Sequence, residues 1–367
     1  MLFQIMPLLS AKVETDPFVI VGPIAWFLGL ILNFIFNAVV MLGETNSLGW
    51  AIILFTVVAR TLMLPIGFKQ QKSTFAMRKM QPEVDAIRKK YEGLNDRESQ
   101  QAMAADTQAL YARHKYNPLA GCLPMLITLP IFFALSYLVR QSFLYVDFIG
   151  DVYSDIAGAL QRAFALDAGA LNAFLEVALP KVKDTALWGQ LDTDNLPDML
   201  RVINTFEAKD WAVVMDGVGK ASVGLFDDLT AMLASKANIE SFLGINLVEN
   251  AGWAWPGITI PILTGVTTFL STWIINKQTS MASNPQMKNQ QMIMLIVMPV
   301  MLTWMTAGFS AGVGLYWIVS SIYQTIQQIL LDRYYRRKDE ILAAESAAGP
   351  KPIITVDKSK HSKKGAN

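Results

Sequence analysis

Arg60 lies in Leu48–Phe68 (LGWAIILFTVVARTLMLPIGF), a stretch of membrane-spanning length with no other ionised side chain. At about 1.5 Å of rise per residue it falls roughly 10–15 Å from the Lys69 end, inside the hydrocarbon of a bilayer. A guanidinium there costs roughly 2.5–3.5 kcal/mol on insertion scales and does not neutralise itself. It must face water, a partner or a polar cavity within the protein; the bland alternative is a side chain that snorkels to the interface. Other polar residues recur at helical spacing in apolar segments. Thr56 is one turn from Arg60, Thr264, Thr268 and Ser271 fall at i, i+4, i+7, and Trp317, Ser321, Gln324 and Gln328 at i, i+4, i+7, i+11. Two polar stripes on different helices suggest one shared polar interior. Hydroxyls that bond back to the i−4 carbonyl explain each Ser or Thr equally well, and the glutamines also suit a solvated cytoplasmic interface.

The chemistry available is charge placement rather than bond making. Five fixed donors on Arg60 suit carboxylates and carbonyls without demanding a sequence. Arg60, Thr56, Ser271, Trp317, Ser321 and Gln324 are therefore the candidate substrate-binding residues. Catalysis is not expected: the chain has no Gly-x-Ser-Gly, no His-Glu-x-x-His and no aspartate pair in an apolar segment, and His114 and His361 fall in polar stretches. Cys122 is the single cysteine, without metal-ligand spacing, so neither a metal, a cofactor nor an internal disulfide is expected.

Composition places these residues in a membrane protein: 53% of the chain is hydrophobic and only 17% charged, against about 25% charged in soluble proteins. The expected class is an all-α polytopic membrane protein. Apolar stretches of spanning length run over Leu48–Phe68, Leu119–Val139, Ile258–Ile275, Met292–Phe309 and Val313–Leu331. Phe18–Gly43 is a sixth candidate, but Gly29, Asn33 and Asn37 at i, i+4, i+8 draw a polar stripe that favours a helix lying in the interface over an extra span. Residues 1–17 read as a tail with no basic n-region and no clear cleavage site, so no removable signal is expected. Lys69–Lys115 holds ten Lys/Arg against six Asp/Glu, Asn276–Gln291 has two and no acid, and the tail after Leu331 has nine against five. By the positive-inside rule these face the cytoplasm. Asp147–Trp255, with seven Lys/Arg against sixteen Asp/Glu, lies outside. Five spans put the C-terminus inside and the N-terminus outside the plasma membrane. Residues 69–117 read as a helical hairpin, with Met80, Val84, Ile87 and Tyr91 on one face and Gly93–Asp96 as its turn. Long, charged and tied to the core only at its ends, this hairpin is expected to be mobile. Within 147–255, residues 151–240 form a helical insertion, suggested by Leu171–Leu179, Leu196–Phe206 and Leu225–Leu233, that should be separable from the membrane core. Residues 332–367 form a basic tail suited to anionic lipid headgroups or ribosomal RNA.

The run VARTLMLPIGFKQQKSTFAMRKMQPEVDAIRKKY (Val58–Tyr91) and the run ALYARHKYNPLAGCLPMLITLPIFFALSYL (Ala109–Leu138) resemble the membrane protein insertases of the YidC/Oxa1/Alb3 family. FLGINL (Phe242–Leu247), GVTTFL (Gly265–Leu270), QQMIMLIVMPVM (Gln290–Met301) and GVGLYWIVSSIYQTIQQ (Gly312–Gln328) agree. The resemblance, closest to the Gram-positive bacterial branch, implies five transmembrane helices around a hydrophilic groove open to the cytoplasm and to lipid, an amphipathic helix before the first span, and Arg60 receiving polar parts of a substrate. It further implies nascent membrane proteins as substrates, cooperation with the Sec channel, and contact with the ribosome through the basic tail and hairpin. The acidic insertion departs from the family pattern. A small-anion transporter or channel with Arg60 as the anion site is the rival reading, although no second ionisable residue accompanies Arg60 in the spans to couple ions.

Overall fold

The computed structural model describes residues 21–94, 96–116, 123–182, 191–278 and 292–347. Apart from one two-stranded hairpin, its regular elements are helices. In chain order these are α1 (Val21–Val40), α2 (Ser47–Leu62), α3 (Leu64–Lys90), α4 (Arg97–Arg113), α5 (Leu123–Arg140), the single turn α6 (Ser142–Tyr145), α7 (Asp147–Leu166), α8 (Ala168–Val182), α9 (Leu196–Ile203), α10 (Ala208–Ala221) and α11 (Val223–Glu240). The strands β1 (Ser241–Phe242) and β2 (Ile245–Asn246), α12 (Thr259–Gln278), a π-helical turn Ile293–Val297 running into α13 (Met298–Ala307), and α14 (Ala311–Ala347) complete the described elements. The beginning of the second expected span, residues 119–122, and the loop 279–291 lie outside the described residues, as do the ends 1–20 and 348–367.

Two helices carry apolar stretches long enough to cross a membrane, Pro23–Val40 of α1 and Thr259–Asn276 of α12. The pair α2 and α3 qualifies as a third if counted together, bent by 58° where they meet. Pro65, in the first turn of α3, lacks the N–H that would continue the α2 ladder, which accounts for a break at this point. Arg60 consequently stands in the last turn of α2, two residues short of its end, rather than midway along one straight span.

α14 is the hub, packed against α2, α3, α5, α12 and α13. Small residues allow the approach: a Cβ on Gly312 would lie 2.7 Å from Val139 and 3.0 Å from the Leu247 carbonyl oxygen, and one on Gly314 would strike Ile260. The β1–β2 hairpin closes this end. Leu243 and Gly244 both take positive φ, the geometry of a tight two-residue turn. The chain beyond it accepts from the start of α14: Gly312 N–H donates to the Leu247 carbonyl at 2.8 Å and Ala311 N–H to the Glu249 carbonyl at 2.8 Å.

α1 packs on both α2 and α5. Two of its three stripe residues turn onto the protein: Gly29 lies beneath Tyr145, and Asn33 donates to an Asp147 carboxylate oxygen at 2.9 Å while accepting from the Asp147 N–H at 3.1 Å; Asn37 is exposed. Trp26, Phe27, Leu30 and Phe34 remain exposed on the other side.

The acidic segment is helical, but its helical body begins at Asp147, not Asp151, and it does not have a core of its own. Ile149, Tyr153 and Ile156 of α7 and Ile239 of α11 belong to the same buried cluster as Ile52, Leu138 and Val139. The fully buried Tyr153 donates to Glu240 at 2.7 Å, and Lys236 closes on the other Glu240 oxygen at 2.7 Å. Burial first, and the Glu240 charge second, push the Tyr153 hydroxyl well above its ordinary pKa.

The α3–α4 hairpin also differs from expectation. Asp96 caps α4 by accepting from Ser99 N–H at 2.8 Å, and Met80, Val84 and Leu110 are buried. Yet α3 is held along its length, not only at its ends. Arg78 pairs with Asp332 of α14, which Arg336 also binds at 2.8 Å; Lys79 pairs with Asp339; Phe75 stacks on Tyr335, whose hydroxyl donates to the Phe68 carbonyl at 3.2 Å. Arg78 and Asp332 are largely buried.

Candidate functional site

Three turns of α14 distribute their polar residues to different neighbours. Residues 320 and 321 are about 100° apart on a helix, enough to face different partners. Ser320 and Tyr323 face α2: Arg60 Nε donates to Ser320 Oγ at 2.6 Å, its Nη2 donates to the same oxygen, and the Thr61 and Tyr323 hydroxyls are 3.0 Å apart. Farther along, Gln327 lies against Gly67 of α3. Ser321 and Thr325 face α12, where Ser271 donates to the Ser321 carbonyl at 3.2 Å and bonds the Thr325 hydroxyl. Trp317 faces α5, edge-on to Phe132 with ring centres 5.1 Å apart.

Of the six candidates, Arg60 is half-buried in the α2–α14 seam, Ser271 and the Ser321 backbone meet in the α12–α14 seam, and Trp317 is half-buried in the α5–α14 contact. Thr56 is buried and donates to the Ile52 carbonyl at 2.6 Å, the back-bonded arrangement. Gln324 is exposed. The two stripes therefore do not converge on Arg60. Its partner is Ser320, and one turn on the Thr61–Tyr323 pair joins the same two helices, a face set by Ser320, Tyr323 and Gln327 at i, i+3, i+7. That spacing is present in the sequence beside the stripe through Ser321, but the adjacent serines make the two indistinguishable without α2 in place.

Arg60 forms no ion pair among the described residues, so the charge is solvated by a hydroxyl and not cancelled. Farther out along α12, the Thr264 and Thr268 hydroxyls are buried with no hydrogen-bond partner among the described residues. Other threonines here, Thr56, Thr267, Thr272, Thr303 and Thr306, return their hydroxyls to their own helix. Among the described residues no cluster of three or more His, Cys, Asp or Glu is placed to hold a metal.

A family model described as 60Kd inner membrane protein matches residues 40–174 and 221–338, more than half of the chain and including α2, α12 and the seam residues of α14. The chain belongs to this family. It is 26% identical over 317 residues to the membrane protein insertase YidC of Oceanobacillus iheyensis, covering 86% of this chain and 82% of that protein. The membrane protein insertase YidC of Enterococcus faecalis is 26% identical over 319 residues, 86% of this chain and 78% of its own. A shorter match, 40% identical over 122 residues, joins 33% of the chain to 44% of the membrane protein insertase YidC 1 of Halalkalibacterium halodurans. With its apolar helices, this YidC-family chain is a bacterial membrane protein. The internal stretch outside the family match is 175–220, shorter than the expected 151–240: it takes in the second half of α8, α9 and all but the last residue of α10.

Proposed function

We propose that this chain is a membrane protein insertase that receives nascent membrane proteins in a polar groove open to the cytoplasm and releases them into the bilayer, alone or with the Sec channel. The observation that carries the reading is Arg60, a permanent charge in an apolar helix, held by a neutral hydroxyl and so available to a substrate carboxylate. Family membership and relatives named as membrane protein insertases support it.

A segment crossing hydrocarbon must bring backbone and charged groups past a medium where each unsatisfied polar group costs several kcal/mol. A wet groove that reaches part-way shortens the dry path, and a positive potential in a low dielectric draws in acidic or polar segments. In this reading α2, the α5 segment, α12, α13 and α14 are the five spans of a multi-pass plasma-membrane protein with its C-terminus in the cytoplasm and N-terminus outside. The hairpin α3–α4 and the basic tail face the ribosome. Photo-crosslinking from position 60 during translation tests it: nascent membrane proteins are the expected adducts, and recovery of lipid alone would overturn the reading.

A further inference from the structure

Arg60 Nε and Nη2 converge on one oxygen, Ser320 Oγ. A serine hydroxyl has two acceptor lone pairs, and these two donors occupy both. The acceptor is firmly placed. Ser320 is buried in the first third of α14, and one turn along the same face the Thr61–Tyr323 hydroxyl contact ties the two helices again. The guanidinium is therefore pre-set along the seam without having its charge cancelled.

We infer that Ser320 is a positioning residue that makes the site selective for substrate segments bearing carboxylates over segments that are merely polar. This rests on the reading that Arg60 receives substrate. An incoming carboxylate offers two charged oxygens in the geometry of the guanidinium fork, and charge-assisted bonds of this kind are roughly twice as strong as neutral ones. On the Nε/Nη2 edge, which matches a carboxylate in two parallel bonds, it displaces the Ser320 hydroxyl with a net gain. An amide or backbone carbonyl offers that edge a neutral acceptor of the same class as the hydroxyl already on it, so the exchange gains little. Ser320 acts as a threshold: the acceptor already in place excludes weak competitors and yields to strong ones. Without it, neutral segments meet an open Nε/Nη2 edge and are accepted on better terms.

The experiment measures insertion, by the full-length protein in membrane vesicles, of two forms of one test substrate, with aspartates or with asparagines in the translocated segment. The ratio of the two within one vesicle preparation does not depend on how much protein accumulates. Wild type is expected to favour the aspartate form. Ser320→Ala should lower that preference by about threefold to tenfold, chiefly by raising insertion of the asparagine form, and Ser320→Thr, which restores a hydroxyl, should recover it. Ser320→Asp, which pairs with Arg60, should bring the ratio down to that of Arg60→Ala. If Arg60→Ala lowers the ratio but Ser320→Ala leaves it at the wild-type value, Ser320 merely packs and the inference fails while the role of Arg60 stands. If Arg60→Ala leaves the ratio unchanged, the underlying reading fails and this one with it.

Discussion

At the scale of residues, the hub helix α14 works through small side chains and hydroxyls, and the two have different tolerances. Gly312 is wedged between Val139 and the Leu247 carbonyl oxygen, both within 3.0 Å of where a Cβ would stand. Gly312→Val should destabilise the protein by about 1–3 kcal/mol through overpacking, read as a lower midpoint of thermal unfolding in detergent. Gly308, whose nearest neighbour to an added Cβ is 3.5 Å away, should accept alanine with little change. Arg60 was legible in the sequence because an isolated charge in an apolar stretch violates hydropathy on its own. Its partner was not. Ser320 and Ser321 are neighbours of the same type, and only the azimuth of α2 around α14 decides which meets the guanidinium and which meets α12.

At the scale of elements, the α3–α4 hairpin is strapped to the C-terminal half of α14. Its helices and turn were readable from periodicity and from Gly93, but Arg78–Asp332 and Lys79–Asp339 join residues more than 250 positions apart, which no local pattern reveals. Removing Arg78 leaves Asp332 with Arg336, whereas Asp332→Ala leaves two guanidinium groups, one of them largely buried, without their carboxylate. Spin-label distances between α3 and α14 should therefore broaden in both variants, and accumulation in the membrane should fall further for Asp332→Ala than for Arg78→Ala. Within the hairpin, the hydrogen bond from Lys90, and then that from Tyr91, hold the Asp106 carboxyl below its ordinary pKa. A lowered folded-state pKa stabilises above the unfolded value of about 3.9 and loses that contribution as pH falls through the folded value. The same contact raises Lys90, whose contribution is present below about pH 10.4 and lost as pH rises through the raised value. An α3–α4 spin-label distance that holds steady between about pH 5 and 9 and broadens on acidification below about pH 4 is the expected profile; broadening at pH 6 would contradict it.

At the scale of the whole molecule, the acidic segment and the helices around α14 share one core. Amphipathic stretches announced the helices of this segment, but where it parts from the rest depends on Tyr153, bonded to Glu240, and Ile239 joining the same buried cluster as residues of α2 and α5, a contact set by the fold. Replacing residues 175–220 by a short polar linker, leaving α7 and α11 in place, should preserve accumulation in the membrane. Deleting 151–240 should abolish it, and equal accumulation of the two would refute the shared core. The central claim is that this assembly places one uncancelled positive charge where a substrate must pass. Insertion of a test protein with acidic residues in its translocated segment, compared in wild type, Arg60→Lys and Arg60→Ala at matched protein levels, tests it most directly. Lysine, which keeps the sign of the charge with fewer fixed donors, should retain most of the activity and alanine should lose about tenfold; alanine inserting the acidic substrate as well as wild type would overturn the electrostatic role of Arg60.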